Sequence, residues 1–148
     1  MTRAIFVDAD ACPVKDETYR VGLRHGVKVF VVSNRFMRVP ASPDIQLIVV
    51  DAGPDVADDY IAERAGSHSV VVTADILLAE RCLKHGATVL SPRGNAFTVD
   101  MIGAAVANRA LLDQLRGSGE WTGGAAPFNA RNRSAFLQAL HEAVKRLG

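Results

Sequence analysis

Two aspartates, Asp8 and Asp10, stand at the end of a short apolar segment close to the amino terminus. The segment, residues 4–7, is rich in β-branched and aromatic residues, and Pro13 is well placed to open a helix in its first turn. The stretch therefore predicts a strand, an acidic loop and a helix. Ligands of open α/β sheets bind beyond the carboxyl ends of the strands, where both aspartates would lie. Two carboxylates that face one cleft repel each other, and a cation between them relieves the repulsion.

Further aspartates follow other predicted strands in the same way. Asp51 and Asp75 come at or just after the predicted third and fourth strands, and the helix after Asp51 opens with Asp55, Asp58 and Asp59. By connectivity, most aspartates of the chain fall on one edge of the sheet. A set of carboxylates without clustered Cys or His favours Mg²⁺ or Mn²⁺ over Zn²⁺. Such an ion activates water and stabilises charge on a transferring phosphoryl group.

The same acids also have purely structural interpretations. Asp55 fits an N-cap, and the helix dipole favours Asp58 and Asp59 in a first turn. Weighing both interpretations, we predict that the catalytic residues are Asp8, Asp58 and Asp75. The predicted metal ligands are Asp8, Asp10, Asp58, Asp59 and Asp75.

Cationic side chains near this edge are candidates for binding phosphate. Lys15 lies on the helix beside the acidic loop, and Arg93 lies in a loop after the carboxyl end of a predicted strand. We predict that these two residues bind substrate. Other arginines that could receive phosphate oxygens are Arg35, Arg38, Arg109, Arg131 and Arg133, although surface arginines are usually only solvated.

Strands and helices that alternate along the chain must position these residues. The predicted strands cover residues 4–7, 27–32, 45–50, 69–73 and 87–90. The predicted helices cover residues 13–25, 55–65, 76–85, 98–115 and 132–147. A loop at 33–44 places Arg35 and Arg38 around Phe36 and Met37, and a Gly-rich excursion at 116–129 contains Trp121. The alternation predicts a three-layer α/β fold with a mainly parallel sheet of about five strands, in a single domain over residues 1–148.

Local patterns set the faces and ends of these helices. The inward positions of the first helix are predicted to be Val14, Val21 and Leu23, and those of the last are Phe136, Leu140, Val144 and Leu147. Leu23-Arg24-His25-Gly26 resembles Leu83-Lys84-His85-Gly86, which predicts two equivalent helix-to-strand turns, each with a histidine that offsets the helix dipole. The pattern indicates no partner for His68 or His141.

Composition limits the class of protein. The 148 residues suffice to bury roughly two-thirds of the unfolded surface in one core. No apolar run approaches the roughly 20 residues that span a bilayer, and the amino terminus does not have the pattern of a signal peptide. With two cysteines and no zinc-site spacing, we expect a cytoplasmic protein without membrane contact. The net charge of +1 predicts that any nucleic-acid contact is local.

Four segments together form a pattern that extends over nearly the whole chain. They are Val7-Asp8-Ala9-Asp10-Ala11-Cys12-Pro13-Val14-Lys15, Gly53-Pro54-Asp55-Val56-Ala57-Asp58-Asp59, Val72-Thr73-Ala74-Asp75-Ile76-Leu77-Leu78-Ala79 and Pro92-Arg93-Gly94. Gly123-Gly124, Arg133 and Phe136 continue the pattern in the tail. The chain thereby resembles the YaiI/YqxD family of bacterial proteins of unknown function, grouped with PIN-like nuclease folds. It departs at Ala125, where a proline is expected, and at Asn132, where an acid is expected.

The resemblance implies a PIN-like sheet whose carboxyl edge carries acids that hold Mg²⁺ or Mn²⁺ in nucleases that cut RNA. On that template Asp8 and Asp75 would be core metal ligands, and Asp58 or Asp59 would supply a ligand from a helix. The leading hypothesis is a metal-dependent phosphodiesterase or ribonuclease, in which Arg93 or Lys15 steadies the phosphate of RNA or another phosphodiester.

Two alternatives stay open. Asp8-Ala9-Asp10 after an apolar strand is similar to the nucleophile and acid of haloacid-dehalogenase-type phosphohydrolases, although the order of the other required residues fits poorly. The chain could instead be a non-catalytic module that binds RNA or protein. Cys12 is interpreted as a small structural residue, because a cysteine phosphatase needs an arginine where Thr18 stands.

Overall fold

The computed structural model describes residues 3–9, 12–53, 55–107 and 128–147. The strands are β1 (Ala4–Asp8), β2 (Lys28–Ser33), β3 (Ile45–Val49), β4 (Ser69–Val72) and β5 (Thr88–Leu90). The helices within the described ranges are α1 (Lys15–His25), α2 (Val56–Arg64), α3 (Ile76–Lys84), α4 (Val99–Ala107) and α5 (Ala130–Arg146). The predicted continuation of α4 to residue 115, the excursion with Trp121, and Arg109 lie outside the described residues.

The strands form one parallel sheet in the order β3-β2-β1-β4-β5. The apolar runs of the central strands fit this arrangement, because parallel strands are covered on both faces. β1 lies between β2 and β4, in a register that pairs Asp8 with Val32 and Val7 with Val72. The strand order reverses direction at β1, and such a switch point opens a crevice at the carboxyl ends of the strands.

Helices cover both faces of the sheet. Ile5 and Val7 of β1 point into a core shared with α1 and α5, whereas Ala4 and Phe6 point into a core shared with α2, α3 and α4. This alternation follows from the two-residue period of a strand. The predicted three-layer α/β architecture with a five-stranded parallel sheet is confirmed.

The first helix differs from its prediction in two ways. Val14 and Val21 are buried as predicted, but Leu23 is 47% exposed. Leu23 lies two positions after Val21, about 200° around the helix, so the two side chains cannot share a face. The helix also begins at Lys15 rather than Pro13, with Val14 in the N-cap position.

The two predicted helix-to-strand turns are equivalent in structure. Gly26 and Gly86 both have positive φ values, of 65° and 87°. The residue after each glycine donates its amide to a carbonyl five positions earlier, from Val27 to Gly22 and from Ala87 to Cys82. The last helix buries Phe136, Leu140 and Val144 as predicted.

The prediction that His141 has no partner was wrong, because His141 contacts His25 across the α1–α5 interface. None of the helices in the described ranges is long and apolar enough to cross a membrane.

Candidate functional site at the carboxyl edge of the sheet

Asp8 ends β1 at the switch point of the sheet and is partly buried. Its Oδ2 atom accepts a hydrogen bond of 2.9 Å from the hydroxyl of Thr73. Thr73 follows β4, which pairs directly with β1. The strand order therefore brings together side chains that are 65 positions apart in the sequence.

Thr73 connects the two acids that follow β1 and β4. It is only 1% exposed, and its Oγ1 accepts the backbone amide of Asp75 at 3.0 Å while donating to Asp8. We call the two hydrogen bonds of this hydroxyl the Thr73 bridge. The backbone amide of Thr73 also donates to the carbonyl of Leu90, which connects the bridge to β5. Sequence reasoning did not assign Thr73 a role. The available signal was a hydroxyl two positions before Asp75 at a strand end.

Asp75 is the N-cap of α3. Its Oδ1 atom accepts the backbone amides of Leu77 at 2.8 Å and Leu78 at 3.3 Å. These bonds satisfy amides that the first turn of a helix leaves unpaired, and they place the carboxylate at the positive end of the helix dipole. The carboxylate is consequently held in one orientation at the sheet edge.

Asp58, in the first turns of α2, is electrostatically coupled to both acids. The pKa of its carboxyl is raised to about 6, chiefly by burial and then by the charges of Asp8, Asp75 and Asp55, with Arg81 opposing the increase. The three predicted catalytic aspartates, Asp8, Asp58 and Asp75, thus lie within electrostatic reach of one another. The described part of the chain contains no group of three or more His, Cys, Asp or Glu residues that could hold a metal ion as they stand.

The remaining acids have different environments. Asp59 is exposed and its Oδ1 pairs with Nη1 of Arg81 at 2.7 Å. Asp51 is exposed beyond β3, at the edge of the sheet. Asp55 occupies the N-cap position of α2, but its side chain makes no capping bond and its φ is 67°, which corrects the predicted role of that side chain as a cap. Asp10 lies outside the described residues.

The two predicted substrate-binding cations both contact protein groups. Nζ of Lys15 donates to the carbonyl of Cys12 at 2.9 Å, on the loop that follows β1. Nη1 of Arg93 donates to Oδ1 of Asn132 at 3.2 Å. The Asn132 oxygen also accepts the amide of Asn129 in the capping box of α5. The resemblance leads one to expect an acid at position 132. The neutral side-chain amide of Asn132 accepts the hydrogen bond from Arg93 in its place.

Cys12 is buried near this edge. Burial is the largest cause that raises the pKa of its thiol to about 11, and the charges of Asp8 and Glu17 add to the increase. The thiol is therefore protonated at neutral pH, and a protonated thiol is a poor nucleophile. This agrees with its interpretation as a structural residue.

Comparisons with known proteins place the chain among bacterial relatives of similar length. Residues 6–146 match a family described as "Uncharacterized BCR, YaiI/YqxD family". A "UPF0178 protein" of Caulobacter vibrioides (strain NA1000 / CB15N) is 58% identical over 144 residues, which cover 97% of this chain and 94% of the relative. A protein of the same name from Nitrobacter winogradskyi is 55% identical over 143 residues, covering 97% of this chain and 91% of the relative. No solved structure matches the chain.

Proposed function

The chain belongs to the YaiI/YqxD family of uncharacterised bacterial proteins, and from the geometry of its acids we propose that it is a metal-dependent phosphodiesterase that acts on RNA. The observation that carries the proposal is the Thr73 bridge at the switch point of the sheet, in which one hydroxyl donates to the carboxylate of Asp8 and accepts the backbone amide of Asp75. The PIN-like resemblance implies the same two residues as core metal ligands.

The chemistry of the donors fits Mg²⁺ or Mn²⁺. Asp8, Asp58 and Asp75 supply only carboxylate oxygens, which are the ligands that hard divalent cations prefer. The raised pKa of Asp58 arises partly from repulsion by Asp8 and Asp75, and a bound cation would reverse that repulsion. When bound, the ion would activate water and stabilise charge on the phosphoryl group.

The protein residues act by orienting the ligands. The Thr73 hydroxyl holds the carboxylate of Asp8, and the first amides of α3 hold that of Asp75, so each proposed ligand has a fixed orientation before an ion binds. Asp58 lies in the first turn of α2 and would supply a third ligand, so the proposed set would come from three different elements. The guanidinium of Arg93 and the amine of Lys15 are proposed to neutralise substrate phosphate.

Calorimetric titration of Mn²⁺ tests the ligand set directly. The wild-type protein should bind the ion, whereas Asp8→Asn, Asp58→Asn and Asp75→Asn should weaken binding or abolish it while the circular dichroism spectrum stays unchanged. The matched control is Asp44→Asn. Asp44 is a half-buried aspartate that pairs with Lys28 at 3.9 Å, and its carbonyl accepts the amide of Val29 near the start of β2, far from the carboxyl edge.

Activity is then measured on a labelled single-stranded RNA with Mn²⁺, at enzyme excess. Cleavage that is lost in Asp75→Asn and retained in Asp44→Asn supports the proposal. Intact RNA with every preparation rules out the nuclease, and a wild type that binds RNA without cutting it is a binding module. Hydrolysis of a phosphomonoester, with a beryllium fluoride adduct trapped on Asp8, would instead identify a phosphohydrolase of the haloacid-dehalogenase type.

A further inference from the structure

Phe36 lies on an exposed segment that begins at the same edge of the sheet as the proposed active site. It belongs to the segment that follows β2 at the carboxyl edge, and β2 pairs directly with β1, the strand that ends on Asp8. Its side chain is 81% exposed, the highest value among the exposed large hydrophobic residues that the structure describes. Arg35 and Arg38, on either side of it, are exposed as well. We call these three residues the Phe36 surface.

The exposure of Phe36 is imposed by the segment that carries it. Met37 and Val39 pack against the core between the sheet and the layer of α1 and α5. At the start of the segment, the buried hydroxyl of Ser33 accepts the amide of Arg35 at 3.2 Å. Exposure alternates along residues 36–39, since Met37 and Val39 are partly buried whereas Phe36 and Arg38 are exposed, as expected of successive side chains that point to opposite sides of the backbone. The aromatic ring is therefore presented by an anchored backbone.

The combination of groups on this surface suits one kind of ligand. An exposed aromatic face stacks on a nucleobase, and an arginine on each side can bind the phosphates of the same strand. Arg35 and Arg38 are three positions apart, at most about 10 Å of extended chain, so both can flank one stacked base. The net charge of +1 is low for a protein that covers a duplex, and paired bases do not expose their faces for stacking.

We propose that the Phe36 surface binds single-stranded nucleic acid, with an unpaired base stacked on Phe36 and the adjoining phosphates on Arg35 and Arg38. This inference rests on the proposed function, because it assigns to the phosphodiesterase a preference for unpaired strands that enter beside Asp8. The strand then runs from the segment after β2 toward the carboxylates at the end of β1.

Fluorescence anisotropy with a labelled single-stranded RNA, in the presence of EDTA, measures this contact without metal and without cleavage. Phe36→Ala should weaken binding by about 5- to 150-fold, the range expected for loss of one stacked base. Phe36→Trp should retain binding. The matched control is Leu23→Ala, which removes another exposed apolar side chain, 47% exposed, at the far end of α1. Binding weakens as salt rises, and the slope of log K against log salt concentration measures the number of phosphate contacts. In a double variant, Arg35→Gln with Arg38→Gln, the magnitude of this slope should fall by about 1.4.

Several results would overturn the inference. They are a wild type that does not bind the single strand, equal binding by wild type and Phe36→Ala, an equal loss in Leu23→Ala, and equally tight binding of a duplex of the same sequence. Failure of the phosphodiesterase is a separate result. If Phe36→Ala loses binding while the wild type never cleaves RNA, the Phe36 surface binds single strands and the proposed phosphodiesterase activity is wrong. If Phe36→Ala still cleaves RNA and binds it as tightly as the wild type, the phosphodiesterase activity is supported and the role of the Phe36 surface is wrong.

Discussion

Nε2 of His25 lies 2.9 Å from Nδ1 of His141, and the two rings meet edge to face with centroids 5.1 Å apart. The pair joins the last turn of α1 to α5. Eight positions earlier on each helix, Arg133 of α5 pairs with Glu17 of α1 at 3.1 Å. Each of the two contacts joins residues that are 116 positions apart in the sequence. Because this separation is the same at both contacts, α1 and α5 run in the same direction, and they are joined near both ends of their interface.

Acidification should weaken the His25–His141 contact. One imidazole must donate and the other accept, so at least one ring has to be neutral. The pKa of His141 is lowered by burial first, and then by the positive charges of His25, Arg24 and Lys145, with Glu142 opposing. A lowered folded-state pKa means that the unfolded state binds more protons below about 6.5, so stability falls as the pH falls through that window.

The measurement is urea unfolding at about pH 5 and about pH 7.5, on either side of the histidine window. The loss of unfolding free energy on acidification should be smaller in His141→Gln than in the wild type. His85→Gln is the matched control, because Nδ1 of His85 contacts the carbonyl of Ala62 instead of a second imidazole. An identical pH dependence in His141→Gln and the wild type would contradict this account.

Replacement of Thr73 should destabilise the protein through the two acids that it connects. Thr73→Val preserves shape but removes the donor to Asp8 and the acceptor for the Asp75 amide, and a hydrogen bond to a charged group contributes about 1.5–3 kcal/mol. Thr73→Ser retains the hydroxyl, so its free energy of unfolding should fall much less. Urea unfolding compares the two variants, and equal loss in both would mean that the hydroxyl is not the stabilising group.

Two substitutions of Asp75 separate its cap from its charge. Asp75→Asn keeps a side-chain oxygen that can accept the amides of Leu77 and Leu78, whereas Asp75→Ala removes the cap and should cost about 0.5–2 kcal/mol. Both should lose Mn²⁺ binding under the proposed function. The thermal midpoint of each variant gives the stability order, and an Asn variant as unstable as the Ala variant would refute the capping argument.

Asp58 should make the folded state less stable as the pH rises. Because its pKa is raised from 3.8 to about 6, the folded protein binds more protons than the unfolded chain within that window. Stability contributed by the protonated form is lost as the pH rises through the window, by an amount of the order of 1–3 kcal/mol after allowance for partial exposure.

The test compares wild type with Asp58→Asn by urea unfolding at about pH 4 and about pH 7.5, which bracket the titration. The variant should gain stability relative to the wild type at the higher pH only. Asp59→Asn is the control, since Asp59 is an exposed neighbour paired with Arg81. The result opposes this prediction if the advantage of Asp58→Asn is the same at both pH values.

Gly94 should not tolerate a side chain. Its φ is 89°, and an added Cβ would lie 2.7 Å from the carbonyl of Ala135 and 2.8 Å from the amide of Phe136 on α5. Gly94→Ala should therefore cost at least about 1–3 kcal/mol from backbone strain, with the collision in addition. Gly103→Ala is the control, because that position in α4 has open space and a helix favours alanine. Calorimetric unfolding with equal midpoints for the two variants would overturn the prediction.

Local sequence patterns determined the elements and their order along the chain. The buried apolar runs identified each strand to within one or two residues, and glycines 26 and 86 marked the ends of helices, because strand period, helix period and left-handed turns are properties of neighbouring residues. The same patterns showed that Asp8 and Asp75 follow strands. The acids of one sheet edge could therefore be identified without coordinates.

Only the tertiary structure decided which of these side chains meet. The order of strands set β4 beside β1, which brought Thr73 to Asp8. The packing of α2 brought Asp58 within electrostatic reach of Asp8 and Asp75, while its neighbour Asp59 paired with Arg81. The contact of His25 with His141 likewise depends on the packing of α1 against α5. Such contacts join residues far apart in the chain, and the hydrophobic period of an element fixes its buried face but not the element that will cover it.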